Sequence, residues 1–280
     1  MDAKMRRYGP IALLVATAVA VGLVVSLGRR PQAQEEWQFR VCADPNNLPY
    51  SNIRREGFED KIAQIVTQHL HAKLVYVWSP QWRMTRAIRE GLREGECDAV
   101  MGVPDRYPLL LTTRPYYKST YVFVYRADRT WNVRSFDDPI LRRLRIGLQV
   151  IGFDYHNTPP AEALAQRGIR NVVGYSPWDY EDPYRYGRIV EAVAKGEVDL
   201  AVVWGPIAGY FAKRQKVALR LVPVSPQIVP PMLPMVYAIS MGVRHGDDAL
   251  AERLNRTIEV RMKAIESVLR SYGVPLFPMP

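Results

Sequence analysis

One short phrase occurs twice in this chain, 101 residues apart, and it limits what the chain can fold into. Gly95-Glu96-Cys97-Asp98-Ala99-Val100 and Gly196-Glu197-Val198-Asp199-Leu200-Ala201 each make a Gly-Glu-x-Asp turn that joins a helical stretch to a buried strand. The turn comes once in each half of a pattern that alternates short apolar strands with longer helices, the sequence mark of an α/β protein with largely parallel sheets. The simplest architecture is two similar α/β lobes with a ligand cleft between them. Ligands in open α/β sheets sit at the carboxyl ends of strands, so both lobes would present loops to that cleft.

In the first half, Phe39–Ala43, Lys73–Trp78, Cys97–Val103 and Tyr121–Arg126 read as strands, and Gly57–His69 and Gln81–Glu94 as helices. The helix after Gly57 places Phe58, Ile62, Ile65, Val66 and Leu70 on one face. The pattern restarts with strands at Arg145–Val150, Val172–Tyr175, Asp199–Trp204 and Tyr237–Val243. Helices are expected at Pro159–Arg167 with Thr158 as N-cap, Tyr186–Lys195, Pro206–Arg214, and from Asp247 to Tyr272, where Gly273 and Pro275 stop the last one. The links between lobes fall near Arg126–Asn132 and Pro230–Ala238. That makes lobe 1 of residues 37–126 plus 238–280, and lobe 2 of residues 127–237.

Residues 1–36 read as a signal peptide or an N-terminal anchor. Lys4, Arg6 and Arg7 precede an uncharged apolar run from Ile11 to Leu27, and Arg29 and Arg30 follow it. The chain is therefore expected in the periplasm, touching the membrane only through this segment if it is not removed. The full chain carries +10; without the first 36 residues, which hold five of 38 basic and three of 28 acidic side chains, it carries +8. The basic residues are scattered, form no long run, and accompany no nucleic-acid-binding motif, so nucleic acid is not an expected partner.

Four histidines and two cysteines exclude a histidine-rich metal centre or a four-thiolate zinc site, and no metal or cofactor is expected. Walker A, GxGxxG, HExxH, CxxC and GxSxG patterns are all absent, which removes the common nucleotide, zinc-hydrolase, thiol-redox and serine-hydrolase readings. Cys42 and Cys97 would lie on neighbouring strands. A disulfide closing that long loop is the expectation in an oxidising compartment, with two buried free thiols as the alternative. His156, beside Asp154 and Tyr155, is a cleft acid or base only if it finds a partner; an ordinary loop hydrogen bond is the plainer reading. Aromatic residues cluster in each half, mostly on predicted loops: Tyr107, Tyr116, Tyr117 and Tyr121 in the first half; Tyr155, Trp178, Tyr180, Tyr184, Tyr186 and Trp204 in the second. Those that face a cleft would suit an apolar ligand or a protein segment.

Several segments carry a family likeness. VCADPNNLPYSN at 41–52, GFEDKIA at 57–63, GECDAVMGVP at 95–104, TTRPYYKSTYVFVYR at 112–126, IGLQVIGFDYHNTPPAEALAQRGI at 146–169 and GEVDLAVVWGPIAGYFA at 196–212 resemble the accessory proteins encoded beside quinoprotein methanol dehydrogenases. This is the MxaJ/XoxJ type of the type 2 periplasmic binding proteins. The resemblance implies a two-lobed α/β fold with a central cleft and two hinge crossovers. It implies no catalysis by the chain itself. The implied role is in maturation or activation of a dehydrogenase dependent on pyrroloquinoline quinone, of the calcium or lanthanide type, by binding it. The alternative is a solute receptor feeding a transporter, for a small carboxylate or another organic solute.

The cleft residues marked on these grounds are Asp44, Asn46, Tyr50, Arg106, Tyr107, Tyr116, Tyr155 and Trp204. In amino-acid receptors of the superfamily an arginine after a first-lobe strand clamps the ligand carboxylate, and Arg106 takes that place by count. The acidic residue that receives the ligand amino group falls at Trp204, whose indole offers only a cation–π face. Amino-acid capture is thereby disfavoured. A third reading, an enzyme on the same fold, would need a cleft acid among Asp44, Asp105 and Asp154.

Overall fold

The computed structural model describes residues 37–80, 87–150, 158–177 and 179–279, with backbone only for 87–89. The signal or anchor segment, Tyr155, His156, Asp154, Trp178 and the start of the helix expected from Gln81 lie outside the described residues.

The two Gly-Glu-x-Asp turns are built alike. After a π-helical turn at Ala87–Leu92, Gly95 takes φ +78°, and Asp98 leads into β5 (Ala99–Pro104). Asp98 Oδ2 accepts from the Arg40 backbone N–H at 2.8 Å, while the Arg40 guanidinium donates to Asp98 and to the Gly95 carbonyl. In the second copy Gly196, at φ +77°, ends the helix Arg188–Lys195. Asp199 Oδ2 accepts from the Arg145 backbone N–H, also at 2.8 Å, and the Arg145 guanidinium donates to the Gly196 carbonyl. In each lobe one aspartate ties the start of one parallel strand to its neighbour and to the preceding turn.

Around these anchors the chain runs β1 (Gln38–Ala43), the short pair β2 (Asn46–Asn47) and β3 (Ser51–Asn52), α1 (Phe58–Leu70), β4 (Lys73–Trp78), β5, β6 (Leu111–Thr112) and β7 (Tyr117–Arg126). Then come β8 (Ile146–Gln149), α2 (Pro159–Gln166), β9 (Val172–Tyr175), α3 (Arg188–Lys195), β10 (Leu200–Trp204), α4 (Gly205–Ala212), β11 (Leu219–Pro223), β12 (Ile228–Val229), β13 (Leu233–Pro234), β14 (Val236–Val243) and α5 (Asp248–Ser271). The main sheet is ordered β4-β1-β5-β14-β7-β10-β8-β9, with β11 and β6 pairing to β7 and β14.

The sheet is parallel within each half, where β1 pairs with β4 and β5, and β8 with β9 and β10. It is antiparallel where the halves meet, at β5–β14, β14–β7, β7–β10 and β7–β11, which corrects the expectation of largely parallel pairing throughout. Register locates the passage between halves. Tyr117–Thr120 of β7 lie against Ile239–Val236 of β14, and Tyr121–Tyr125 against Trp204–Leu200 of β10. One continuous strand therefore crosses from one sheet half to the other at Thr120–Tyr121, upstream of the Arg126–Asn132 stretch. Tyr121 N and Thr120 Oγ1 both donate to the Met235 carbonyl, just before β14 begins, so the two crossing segments are bonded side by side.

The first half packs α1 and α5 on its sheet through Phe39, Phe58, Ile62, Met241, Leu254 and Ile258, all fully or nearly fully buried. The second half has separate clusters on its two sheet faces, one around Phe123, Phe136, Ile146 and Val202, the other around Val124, Ile189, Val203 and Phe211. Fully burying each such side chain contributes about 1.5–3 kcal/mol. Cys42 and Cys97 form a disulfide between β1 and the turn before β5, packed with Leu92, Val100, Val103 and Leu110. Thr158 stands at the N-cap of α2 without a side-chain capping bond; instead its hydroxyl is buried and unpartnered among the described residues. No described helix is long and apolar enough to cross a membrane.

Candidate functional site

A cavity of about 460 Å³ opens at the carboxyl ends of β1, β5, β8 and β10, where strand ends in this topology leave room for a ligand. Strand alternation sets its lining. Tyr117 and Tyr121, four apart on β7, share one face, as do Tyr237 and Ile239 on β14, and both pairs line the cavity. Trp204 ends β10 directly opposite Tyr121 in register. Its indole meets the Tyr121 ring edge-to-face at 5.4 Å and the Tyr237 ring at 5.7 Å, giving a three-ring wall across β10, β7 and β14. Tyr50, Tyr186, Val100, Val103 and Ile207 continue the apolar surface, and burial raises the phenols of Tyr50, Tyr117 and Tyr121 above their ordinary range.

The polar part of the lining is Asp44, Asn47, Ser51, Glu59, Gln149 and Thr158. Asp44 is buried and already engaged: its Oδ1 accepts from the Tyr180 hydroxyl at 2.6 Å and from the Asn46 backbone at 2.7 Å. Glu59 differs. Its carboxyl lies against Gly102 of β5 so closely that a Cβ there would overlap Oε1, and it has no hydrogen-bond partner among the described residues. Burial, followed by the neighbouring Asp60 charge, pushes it up to about 8, so it is mostly protonated at pH 7.

Of the residues marked from sequence, Asp44, Tyr50 and Trp204 line this cavity. Asn46 does not line it; its side-chain amide donates to the Tyr180 carbonyl at 2.5 Å. Arg106 is directed elsewhere: it adopts φ +56°, its side chain is 91% exposed, and its guanidinium lies 3.7 Å from Asp105. It does not line the cavity and supplies no anion clamp there, so the small-carboxylate receptor lacks its anchor. Tyr107 packs on the apolar cluster around the disulfide, and Tyr116 is buried with its hydroxyl donating to the Met101 carbonyl at 2.8 Å. Of the acids considered for catalysis, Asp105 faces Arg106 and Ser240, and Asp44 is held by Tyr180. Among the described residues no cluster of His, Cys, Asp or Glu is placed to hold a metal ion.

Sequence reasoning missed Glu59, Asn47 and Tyr237 as cavity residues, and it offered Tyr117, Tyr121 and Tyr186 only among the aromatics that could face a cleft. Period-two alternation from the true start of β7 would have selected Tyr117 and Tyr121 over Tyr116. Nothing local marks Glu59.

The model of the bacterial extracellular solute-binding proteins, family 3, matches residues 39–270. The chain belongs to this family. Within it the chain is of the MoxJ/XoxJ type. It is 30% identical over 253 residues to Protein MoxJ of Methylorubrum extorquens, covering 86% of this chain and 82% of that one. It is 28% identical to Protein MoxJ of Paracoccus denitrificans, covering 89% and 92%. The crystal structure of the periplasmic binding protein XoxJ from Methylobacterium extorquens superposes with a TM-score of 0.70 at 33% identity, covering 86% of this chain and all of that one. The family 3 fold is the type 2 periplasmic binding fold, two α/β lobes about a central cleft, and the cavity lies in that cleft.

Proposed function

We propose that this chain is a periplasmic, solute-binding-like accessory protein for a methanol dehydrogenase dependent on pyrroloquinoline quinone. It acts in maturation or activation by binding the dehydrogenase and does no chemistry itself. The family likeness to MoxJ and XoxJ supports the system, and the phrases at 41–52, 112–126 and 196–212 resemble the dehydrogenase-associated branch. The observation that carries the reading is that the cleft is not built as an amino-acid receptor. Arg106, which takes the carboxylate-clamp place by count, points to solvent, and Trp204, which takes the ammonium-acceptor place by count, is an indole in an aromatic wall. A receptor lacking both of its gripping groups has little left with which to hold a free amino acid.

The test uses the purified full chain and the purified dehydrogenase in its apo form. Co-elution of the two, with dehydrogenase activity rising on addition of quinone and metal only when this protein is present, is the expected result. Separate elution and equal activation without it would overturn the proposal.

A further inference from the structure

We propose that the cleft cavity is a binding site for a small organic ammonium ion that carries no carboxylate. The inference concerns what the cavity accepts and stands whether or not the dehydrogenase is the protein's partner.

The unpartnered groups in the lining can all accept hydrogen bonds, and the Thr158 hydroxyl and the protonated Glu59 carboxyl can also donate. The Glu59 carboxyl has no partner among the described residues, and Asn47 Oδ1 and Thr158 Oγ1 are buried without one; Asn47 and Thr158 are 8% and 5% exposed. A buried acceptor left without a donor costs about 1–3 kcal/mol, so a ligand rich in N–H donors relieves what the empty cavity leaves unsatisfied. The remaining surface suits a cation as well. Trp204, Tyr121 and Tyr237 form one wall, with Tyr50, Tyr117 and Tyr186 on other sides, and ring faces attract a desolvated cation.

Charge selects against the alternatives. No lysine, arginine or histidine lines the cavity among the described residues, in a chain whose net charge is +10. The buried cation on the neighbouring loop, Arg185, is stacked on the Tyr180 and Tyr186 rings, each centroid 4.8 Å away, and is not part of the lining. A ligand carboxylate would enter beside Asp44 and Glu59 with no cation among the described lining residues to pair with. An amine on a short apolar stem meets Glu59 at its head and Val100, Val103, Ile207 and Ile239 along its length.

Glu59 also supplies a signature. Its surroundings are Asp60 on its own helix, Tyr50 from the loop before it, Tyr76 of β4, Tyr116 and Tyr117 from the β7 side and Gly102 of β5, none of them cationic. Its carboxyl titrates near 8, so an arriving ammonium at pH 7 displaces most of one proton to solvent.

The test is calorimetric titration of the full chain at pH 7 in two buffers of different ionisation enthalpy. The probes are n-pentylammonium, choline, 1-pentanol, and norleucine, which is the same amine with a carboxylate added. The expected result is binding of n-pentylammonium with proton release, weaker binding of choline, which meets the rings as a cation but has no N–H to give the acceptors, and at least about tenfold weaker binding of 1-pentanol and norleucine than of n-pentylammonium. Glu59→Gln lowers cation affinity about tenfold or more without altering 1-pentanol binding. Gly102→Ala, which displaces the carboxyl while keeping its charge, acts in the same direction, with thermal melts reporting that both variants fold. Equal affinity for the amine and 1-pentanol, norleucine binding as tightly as the amine, absence of cation binding, or unchanged cation affinity in Glu59→Gln would each overturn the proposal.

Discussion

Glu59 and Asp60 are adjacent acids in the first turn of α1, and their surroundings are opposite. Asp60 Oδ2 accepts from the backbone N–H groups of Gly57 at 2.9 Å and Asn52 at 3.1 Å, so it caps the helix and ties down the β3 loop. Glu59 finds only the bare backbone of Gly102 and the cavity. In sequence both look like ordinary first-turn acids favoured by the helix dipole, and only the approach of β5 separates them, which is why the principal polar group of the cleft was not legible. Arg106 failed for a related reason: spacing gives a position in the chain, and a left-handed turn then sends the side chain outward. The carboxyls set a pH dependence. Glu59 holds its proton up to about 8 in the folded protein against 4.5 ordinarily, and Asp60 up to about 6 against 3.8, in both cases chiefly through burial. Where the folded state binds more protons than the unfolded state, stability falls as pH rises. The ligand-free protein should therefore lose stability from about pH 4 to pH 8, by at most about 4 kcal/mol for Glu59. In Glu59→Gln the decline should end near pH 6, where Asp60 finishes titrating. Urea midpoints across pH check this; an unchanged decline to pH 8 in the variant would show that Glu59 is not the group.

The elements themselves were largely legible from runs of β-branched and aromatic residues in the strands and from helix-period apolar spacing, although β4 and β9 show no regular alternation of burial. Lys73–Trp78 and Val172–Tyr175 were read to the residue, and α5 to within one. The strand β11 was not read, since Leu219–Pro223 is short, half-buried and ends in proline, and it is recognisable only by its pairing with β7. The start of β7 was also missed: its first half belongs to one sheet half and its second to the other, and a crossing inside a continuous strand leaves no break in periodicity. The repeated Gly-Glu-x-Asp turn was visible in sequence; its arginine partners, more than fifty positions upstream, were not. The two copies differ in burial, and this orders their energetics. The Asp98 and Arg40 side chains are 11% and 35% exposed, whereas Asp199 and Arg145 are 26% and 59% exposed. Removing a carboxylate strands its donors at a cost that rises with burial. Asp98→Ala should cost about 2–3 kcal/mol and Asp199→Ala about 1 kcal/mol. Chemical denaturation of the two variants checks the order, and equal costs would contradict it.

Across the whole described molecule the two halves meet at more than the crossing strands. At the cleft mouth Tyr180 reaches over to Asp44 and Asn46. On the other side the end of α4 is seated on the end of α5 and the residues just after it: the Tyr210 and Tyr272 rings stack at 5.8 Å, and Lys213 Nζ donates to the Ser271 carbonyl at 2.8 Å. The approach requires Gly209, because a Cβ there would overlap the Gly273 carbonyl. Backbone cannot step aside as a flexible side chain can, so Gly209→Ala should cost about 2–3 kcal/mol and lower Tm by several degrees. An unchanged melt would show that this seat is loose. The two-lobed design was legible from the repeated turn and the family phrases, while the seating of α4 on the chain end rests on glycine spacing that only the assembled fold explains.

A molecule that serves a methanol dehydrogenase, as proposed, should betray its loss in that enzyme's activity. The most direct measurement is dye-linked methanol dehydrogenase activity in periplasm from a strain lacking this gene, taken together with the amount of dehydrogenase polypeptide. Polypeptide present with activity lost, and restored by the intact gene, is the predicted result. Activity per dehydrogenase polypeptide equal to that of the parent strain would contradict it.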